Sequence, residues 1–348
     1  MTIEIKNFLE SKATLYRADC LEALKVIQSK SVDCVITSPP YWQLRDYGYS
    51  EQWGLEPTFD EYLNHLWQMI DECWRVLKDE GTLWINLGDS YARGSRGKDG
   101  KDHSTSNAKE CHVEPLSKPN YKNLDKCLML IPHRFAIGCI ERGWILRNDI
   151  IWAKPNGMPE SVTDRFSKKH EFVFFFVKQK DYFFDLNAIR DPHKESSKAR
   201  YLRAVSASNK YAGLQGLSKP RPNTKIDAQN AEMFGSPRAR QHRNSGNISE
   251  YHERGKNPGD VSDFWAIPTK RSSEKHFATF NTTLIDKPIK AGCPKEGVIL
   301  DPFCGTGTTG IRAIQLNRKF IGIDASANYL EIASRRIEQE LQQSSLTV

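Results

Sequence analysis

Apolar runs of strand length recur along the chain, and between them lie stretches whose apolar positions repeat at helical spacing. The runs ATLYRAD (13–19), DCVITS (33–38), GTLWINLG (81–88), ILRNDIIWAK (145–154), HEFVFFFVK (170–178), GVILDPF (297–303) and KFIGIDA (319–325) predict seven strands. Helices are predicted over 21–28, 58–78, 126–142, 308–316 and 326–341. Strands and helices in such alternation predict an α/β sheet covered on both faces. At the start of the second helix, Thr58 and Glu61 have the spacing of a capping box, in which each side chain accepts from the other residue's backbone amide.

Two segments depart from this pattern. Residues 89–125 are polar, rich in Gly, Ser and Lys and without period, which predicts a long mobile loop. Residues 186–276 carry 17 Lys and Arg against 9 Asp and Glu, an excess of 8 in a chain whose total charge is +7, so the positive charge is concentrated there. Its arginines, Arg200, Arg203, Arg221, Arg238, Arg240 and Arg243 among them, are interleaved with Tyr201, Tyr211, Phe234 and Tyr251. A charge-rich stretch alone reads equally as solvated surface. Arg mixed with Asn, Gln, Ser and aromatics is a donor set suited to phosphates and base edges. The expected organisation is therefore one domain in two halves, 1–185 and 277–348, around an insertion at 186–276.

The length of 348 residues and the 39% hydrophobic content allow a sizeable core. The basic balance points to a polyanionic partner. Eight cysteines show neither a C-x-x-C pair nor metal-ligand spacing with the histidines, so reduced core thiols are expected and no metal site. The first residues, MTIEIKNFLESK, have no apolar h-region, and FVFFFV (172–177) is far too short for a membrane span.

The first candidate for chemistry is VDCVITSPPYWQLRDYG, residues 32–48, where an apolar run breaks into Ser38-Pro39-Pro40-Tyr41-Trp42. Two successive prolines remove two backbone donors and fix two φ angles, so the corner is stiff by construction. A hydroxyl on one side and aromatic rings on the other suit it to holding a flat group; the plain alternative is a buried proline-rich corner. The second candidate is GVILDPFCGTGTTGIRAIQLNRKFIGIDAS, residues 297–326. Gly305, Gly307 and Gly310 fit G-x-G-x-x-G between a strand and a helix, with Asp324 at the end of the next strand, which taken literally is a dinucleotide fingerprint and keeps a NAD-dependent dehydrogenase open. Asp301, just before the glycines, would repel a pyrophosphate and suits a cationic ligand instead. Asp324 can take ribose hydroxyls or, alternatively, cap the helix that follows, a role Ser326 could equally fill.

The two motifs together, with a basic insertion between them, resemble the beta class of DNA amino-methyltransferases over most of the chain. The resemblance implies a Rossmann-like, seven-stranded mixed sheet of the class I methyltransferase type, with circularly permuted motif order and an inserted target-recognition region. It implies Ser38, Pro39, Pro40 and Tyr41 as the catalytic motif, and S-adenosyl-L-methionine as cofactor, held by Asp301, Phe303, Gly305, Gly307 and Asp324. Asp19 sits where the family often keeps an acid near the cofactor adenine, and reads equally as a helix N-cap. His276-Phe277-Ala278-Thr279-Phe280 resembles the segment that closes over the cofactor, giving Thr279 and Phe280, although Asn281 stands where that pattern usually continues with proline.

An exocyclic amine on a base is conjugated into the ring and hidden in the duplex, so the base must be flipped out and stacked, here against Tyr41. The Ser38 hydroxyl and the Pro39 carbonyl would then accept from the amine. In the family, serine at the first motif position mostly accompanies N4-cytosine methylation and aspartate N6-adenine methylation. Cytosine N4 is therefore the expectation and adenine N6 the alternative. Methylation at cytosine carbon 5 fits poorly, since it needs a cysteine nucleophile, usually in a Pro-Cys turn that is absent from the chain. The resemblance also implies double-stranded DNA as partner, read through the six arginines, and a cytoplasmic, nucleoid-associated protein. It leaves open whether a cognate restriction endonuclease accompanies it and whether it works as a monomer or a homodimer.

Overall fold

Along each central strand, alternate side chains enter two separate apolar clusters, one on each face of a single sheet. In β3 (Val32–Thr37), Val35 faces one cluster while Cys34 and Ile36 face the other, and a register shift between Val32 and Cys34 turns Val32 to the same cluster as Val35. In β6 (His170–Val177), Phe172, Phe174 and Phe176 join the first cluster, and Val173, Phe175 and Val177 the second. Burial on both faces is why these strands read as nearly unbroken apolar runs. The computed structural model describes residues 3–9, 11–44, 52–92, 126–190, 263–269 and 282–345.

The remaining strands are β1 (Glu4–Phe8), β2 (Ala13–Arg17), β4 (Leu77–Leu87), β5 (Ile145–Ala153), β7 (Phe264–Ala266), β8 (Val298–Asp301) and β9 (Lys319–Asp324). The helices are α1 (Cys20–Val26), α2 (Phe59–Val76), α3 (Ile131–Glu141), α4 (Thr282–Gly292), α5 (Thr308–Gln315) and α6 (Ala327–Ser345). Helices α1, α2 and α3 supply the first cluster, and α4, α5 and α6 the second. The sheet order is β1-β2-β9-β8-β3-β4-β6-β5-β7. Strands β2, β9, β8, β3 and β4 run parallel, and β6 is antiparallel to both β4 and β5.

The chain divides into two compact units, Met1–Asp185 with Val261–Val348, and Leu186–Asp260. Of the second unit only residues 186–190 are described, with a 3-10 turn at Leu186–Ile189.

The expected Rossmann-like mixed sheet is present, with nine strands among the described residues rather than seven. The two additions lie at the sheet's edges. Strand β1, mostly exposed and partly charged, forms an antiparallel hairpin with β2 and lacks the apolar run that marks a covered strand. Strand β7 has three residues and pairs in parallel with β5.

Two helix expectations also change. The helix expected over 126–142 starts at Ile131, because Leu130 is left-handed (φ 55°), Pro132 sits in the first turn, and residues 127–129 pair instead with 90–92. Helix α4 was not anticipated: Pro288 inside it disguises a helical run. The capping box forms as expected, with Glu61 N donating to Thr58 Oγ1 (3.1 Å) and Thr58 N to Glu61 Oε2 (3.2 Å). Six of the seven described cysteines are buried and free, and Cys127 is exposed and free. No helix among the described residues is long and apolar enough to cross a membrane.

Candidate active site

Strands β3 and β8 are adjacent and parallel, with Cys34 opposite Ile299 and Val35 opposite Leu300, so both chemical motifs leave the sheet at the same edge. The connection from β3 passes through α2 to β4 on one side, while that from β8 passes through α5 to β9 on the other. A crevice at the carboxyl ends of strands where the winding direction reverses is where open α/β sheets bind ligands. The two corners are bonded to each other: Thr37, the last residue of β3, donates its hydroxyl to Asp301 Oδ1 of β8 at 2.6 Å.

The proline corner is clamped from below. Tyr62 of α2 donates to the Pro40 carbonyl at 2.8 Å, and Gln43 N donates to the Gly54 carbonyl at 2.6 Å. Trp42 is buried, with its indole N–H on the Glu56 carbonyl, and so belongs to the support rather than to an open aromatic surface. Tyr41 is only partly buried, and its ring lies against Gly88 at the end of β4. A Cβ there would come within 2.5 Å of Tyr41 Cε2, so a larger residue would dislodge the ring.

The Tyr41 hydroxyl donates to Glu171 Oε2 of β6 at 2.7 Å and lies 3.1 Å from Asn86 Oδ1 of β4. Burial and the Glu171 charge both push the Tyr41 phenol well above its ordinary pKa, so it stays a neutral donor. Glu171 Oε1 pairs with Lys154, the residue just past the end of β5, whose ammonium stands 4.4 Å from the Trp152 ring centroid. Ser38 Oγ is partly buried, 3.4 Å from Asn86 Oδ1 and 3.5 Å from the Tyr41 oxygen. These are long contacts of the kind that tighten when substrate is present.

On the glycine-rich side, Asp301 is 1% exposed and accepts from Thr37, from Thr309 Oγ1 (2.7 Å) and from Phe303 N (3.1 Å). Gly305 and Gly307 have φ of 50° and 78°, left-handed values that bend the loop back over the strand end. Asp324 accepts Gly305 N at 2.9 Å and Ser326 N at 2.8 Å, while Ser326 Oγ accepts Tyr329 N at 3.4 Å and so takes the capping role at α6. Burial pushes both Asp301 and Asp324 up to about 6. Among the described residues no basic side chain pairs with either. The carboxylates are held by hydroxyls and backbone amides alone, and the loop carries a negative potential that suits a cation and opposes a pyrophosphate.

Asp19 is the N-cap of α1 and makes a second bond besides. Its Oδ1 caps α1 through Leu21 N (2.9 Å) and Glu22 N (3.4 Å), and its Oδ2 accepts Trp53 Nε1 at 3.0 Å. The Trp53 ring in turn meets Phe303 with centroids 5.2 Å apart, which links Asp19 to the glycine-rich loop. Thr279, Phe280 and the six arginines Arg200, Arg203, Arg221, Arg238, Arg240 and Arg243 lie outside the described residues.

The site includes residues that the motifs alone do not mark: Thr37, Thr309, Asn86, Glu171 and Lys154. A signal for one of them was available: Asn86 stands as the lone polar residue within the apolar run 83–87, where a polar side chain must find a partner.

Comparison with known proteins points the same way as this geometry. Residues 32–335 match the N6/N4 Mtase family model, described as DNA methylase. The chain is 36% identical over 328 residues to the type II methyltransferase M.Cfr9I of Citrobacter freundii, covering 94% of this chain and 88% of that one. Its fold is similar to that of PvuII DNA methyltransferase (cytosine-N4-specific), with a TM-score of 0.54 at 17% identity over 95% of this chain and 90% of the other. It is also similar to TTHA0409 from Thermus thermophilus, solved with S-adenosyl-L-methionine, with a TM-score of 0.50 at 19% identity over 93% of this chain and 94% of that one. At such identities the two structural likenesses concern the fold alone.

Proposed function

The chain belongs to the N6/N4 DNA methylase family, and from that premise we propose that it moves a methyl group from S-adenosyl-L-methionine to the N4 amine of a cytosine flipped out of duplex DNA. The observation that carries this reading is the 2.6 Å bond between Thr37 and Asp301, which ties the serine-proline corner to the glycine-rich loop at one sheet edge. Methyl acceptor and methyl donor can meet there.

The residues of the donor side fit S-adenosyl-L-methionine, a cation through its sulfonium and ammonium. When bound, it supplies an electrophilic methyl group. Asp301 braces the loop and places an uncompensated negative charge beneath it. Asp324 keeps lone pairs beyond its two amide bonds and is the acceptor for ribose hydroxyls. Phe303, backed by Trp53 and through it by Asp19, forms an apolar wall beside the loop. Thr279 and Phe280 are assigned to the cofactor side on the family resemblance alone.

On the acceptor side, Tyr41 offers its face to the flipped base, and such stacking contributes about 1–3 kcal/mol. Ser38 Oγ and the Pro39 carbonyl accept from the amine, drawing its lone pair out of conjugation. The prolines and the Tyr62 bond hold these acceptors in place, so little reorganisation is required during reaction. Serine at the first motif position supports cytosine over adenine, and the basic segment 186–276 with its six arginines is assigned to target recognition.

The test is nucleoside mass spectrometry of unmethylated DNA treated with the purified protein and cofactor. N4-methylcytosine is the expected product; N6-methyladenine would move the assignment to the other amine. Affinity for DNA should fall steeply with salt, as phosphate contacts release counterions.

A further inference from the structure

The hydrogen bonds around Tyr41 have a direction, and that direction ends at Glu171. Asn86 is 4% exposed, and one end of its amide faces two acceptors, the Phe172 carbonyl at 3.0 Å and Glu171 Oε2 at 3.3 Å. Only an NH2 group satisfies both, so the Asn86 carbonyl oxygen must face Ser38 and Tyr41. Tyr41 has a single proton and two acceptors within reach. The carboxylate at 2.7 Å takes it in preference to the neutral amide oxygen at 3.1 Å, because a charged acceptor makes the stronger bond. Lys154 pairs with the far oxygen of Glu171 and so offsets the cost of holding the carboxylate in a half-buried place.

With Asn86 Oδ1 and the Tyr41 oxygen both presenting lone pairs, the Ser38 proton turns inward toward them. The outer lone pairs of Ser38 are then left for the substrate. We propose that Glu171, paired with Lys154, is a positioning residue that sets the donor-to-acceptor direction of the chain Ser38, Asn86, Tyr41, so that Ser38 meets the substrate amine as an acceptor. The proposal rests on the catalytic role given to Ser38. It extends that role to strand β6 and to the residue that follows β5, neither of which carries a motif.

The test is radiolabelled methyl transfer into DNA, counted whichever base is modified, for Glu171→Gln, Tyr41→Phe and the double variant. The glutamine keeps the size of Glu171 but can donate as well as accept, so the direction is no longer enforced. We expect kcat to fall on the order of 10- to 100-fold, as when groups that orient a reacting residue are removed, with cofactor affinity unmoved. The double variant should be no slower than the slower single, since both changes break one chain. Wild-type kcat in Glu171→Gln, or losses that multiply in the double variant, would overturn the proposal. If Glu171→Gln does not fold, Tyr41→Phe decides alone: it keeps the ring and deletes the shorter link, and undiminished kcat refutes the chain. Ser38→Ala run alongside separates the two levels. Full activity there means that the catalytic assignment of the corner fails. An inactive Ser38→Ala beside a fully active Glu171→Gln removes only the role of Glu171.

Discussion

The two halves of the site treat negative charge in opposite ways. At the serine-proline corner the carboxylate, Glu171, is paired with Lys154 and shared among neutral donors, so the corner presents neutral acceptors to its ligand. At the glycine-rich loop two carboxylates, the buried Asp301 and the half-buried Asp324, have no basic partner among the described residues, and both are pushed up to about 6. The difference matches the two ligands. A flipped base is neutral and needs shape and acceptors, whereas a sulfonium donor is cationic and can itself supply the missing positive charge. The loop is correspondingly the less favourable half, since burying a carboxylate without a cation partner costs stability.

The largest expected effect lies on the acceptor side. Ser38→Ala should lower kcat by about 10²- to 10³-fold, the loss typical of removing one preorganised hydrogen-bonding group, and calorimetry should show cofactor affinity unchanged. A parallel loss of cofactor affinity would mean that the two halves are not electrostatically separate.

The next effect concerns the loop. Because burial raises Asp301 and Asp324 from an ordinary 3.8, the native state binds protons between about pH 4 and 6 that the unfolded chain has released. Their contribution to stability is therefore complete below the unfolded value and is lost as pH rises through about 6. Asp301→Asn should flatten this decline by roughly 3 kcal/mol at most, read from urea unfolding of variant and wild type at pH 4 and pH 7.5. An unchanged pH slope would show that Asp301 is solvated after all.

Asp324→Ala should weaken cofactor binding by about 1.5–3 kcal/mol, the range for hydrogen bonds to a charged group, while the acceptor side and its DNA affinity are unaffected. Titration calorimetry with S-adenosyl-L-methionine and with DNA separates the two. The smallest effect is expected at the seam. Thr37→Val removes one donor from Asp301 and should cost about 1–2 kcal/mol in thermal or urea stability, less than the loss from either ligand side. A change in catalysis larger than the change in stability would show that the seam also sets the spacing between donor and acceptor.

Much of this arrangement was legible beforehand, for identifiable reasons. Strands buried on both faces carry unbroken apolar runs, and the Ser38–Tyr41 and Asp301–Gly307 motifs are local, so their residue types and spacing declare them. The edge strands β1 and β7 escaped notice because one is largely exposed and the other is three residues long. Helix α4 escaped because Pro288 interrupts its pattern. Lys154 follows β5 and Glu171 lies in β6, and nothing in their own segments says that they meet each other or that Glu171 meets Tyr41. Asp19 illustrates the intermediate case: its reading as a helix cap is met through one oxygen, while the bond of the other oxygen to Trp53 joins segments that their own sequences do not link.

By itself, the amino-acid sequence determined the stiffness of the proline corner, the left-handed glycine turn, the layered α/β character and the concentration of positive charge in one segment. These depend on backbone sterics, periodicity and composition, which are local or additive. Only the tertiary structure decided that β3 and β8 are neighbours, that Thr37 holds Asp301, and that Glu171 and Lys154 converge on Tyr41. Such contacts join residues as many as 264 positions apart in the chain, and their partners are chosen by sheet order and register rather than by any neighbour in sequence.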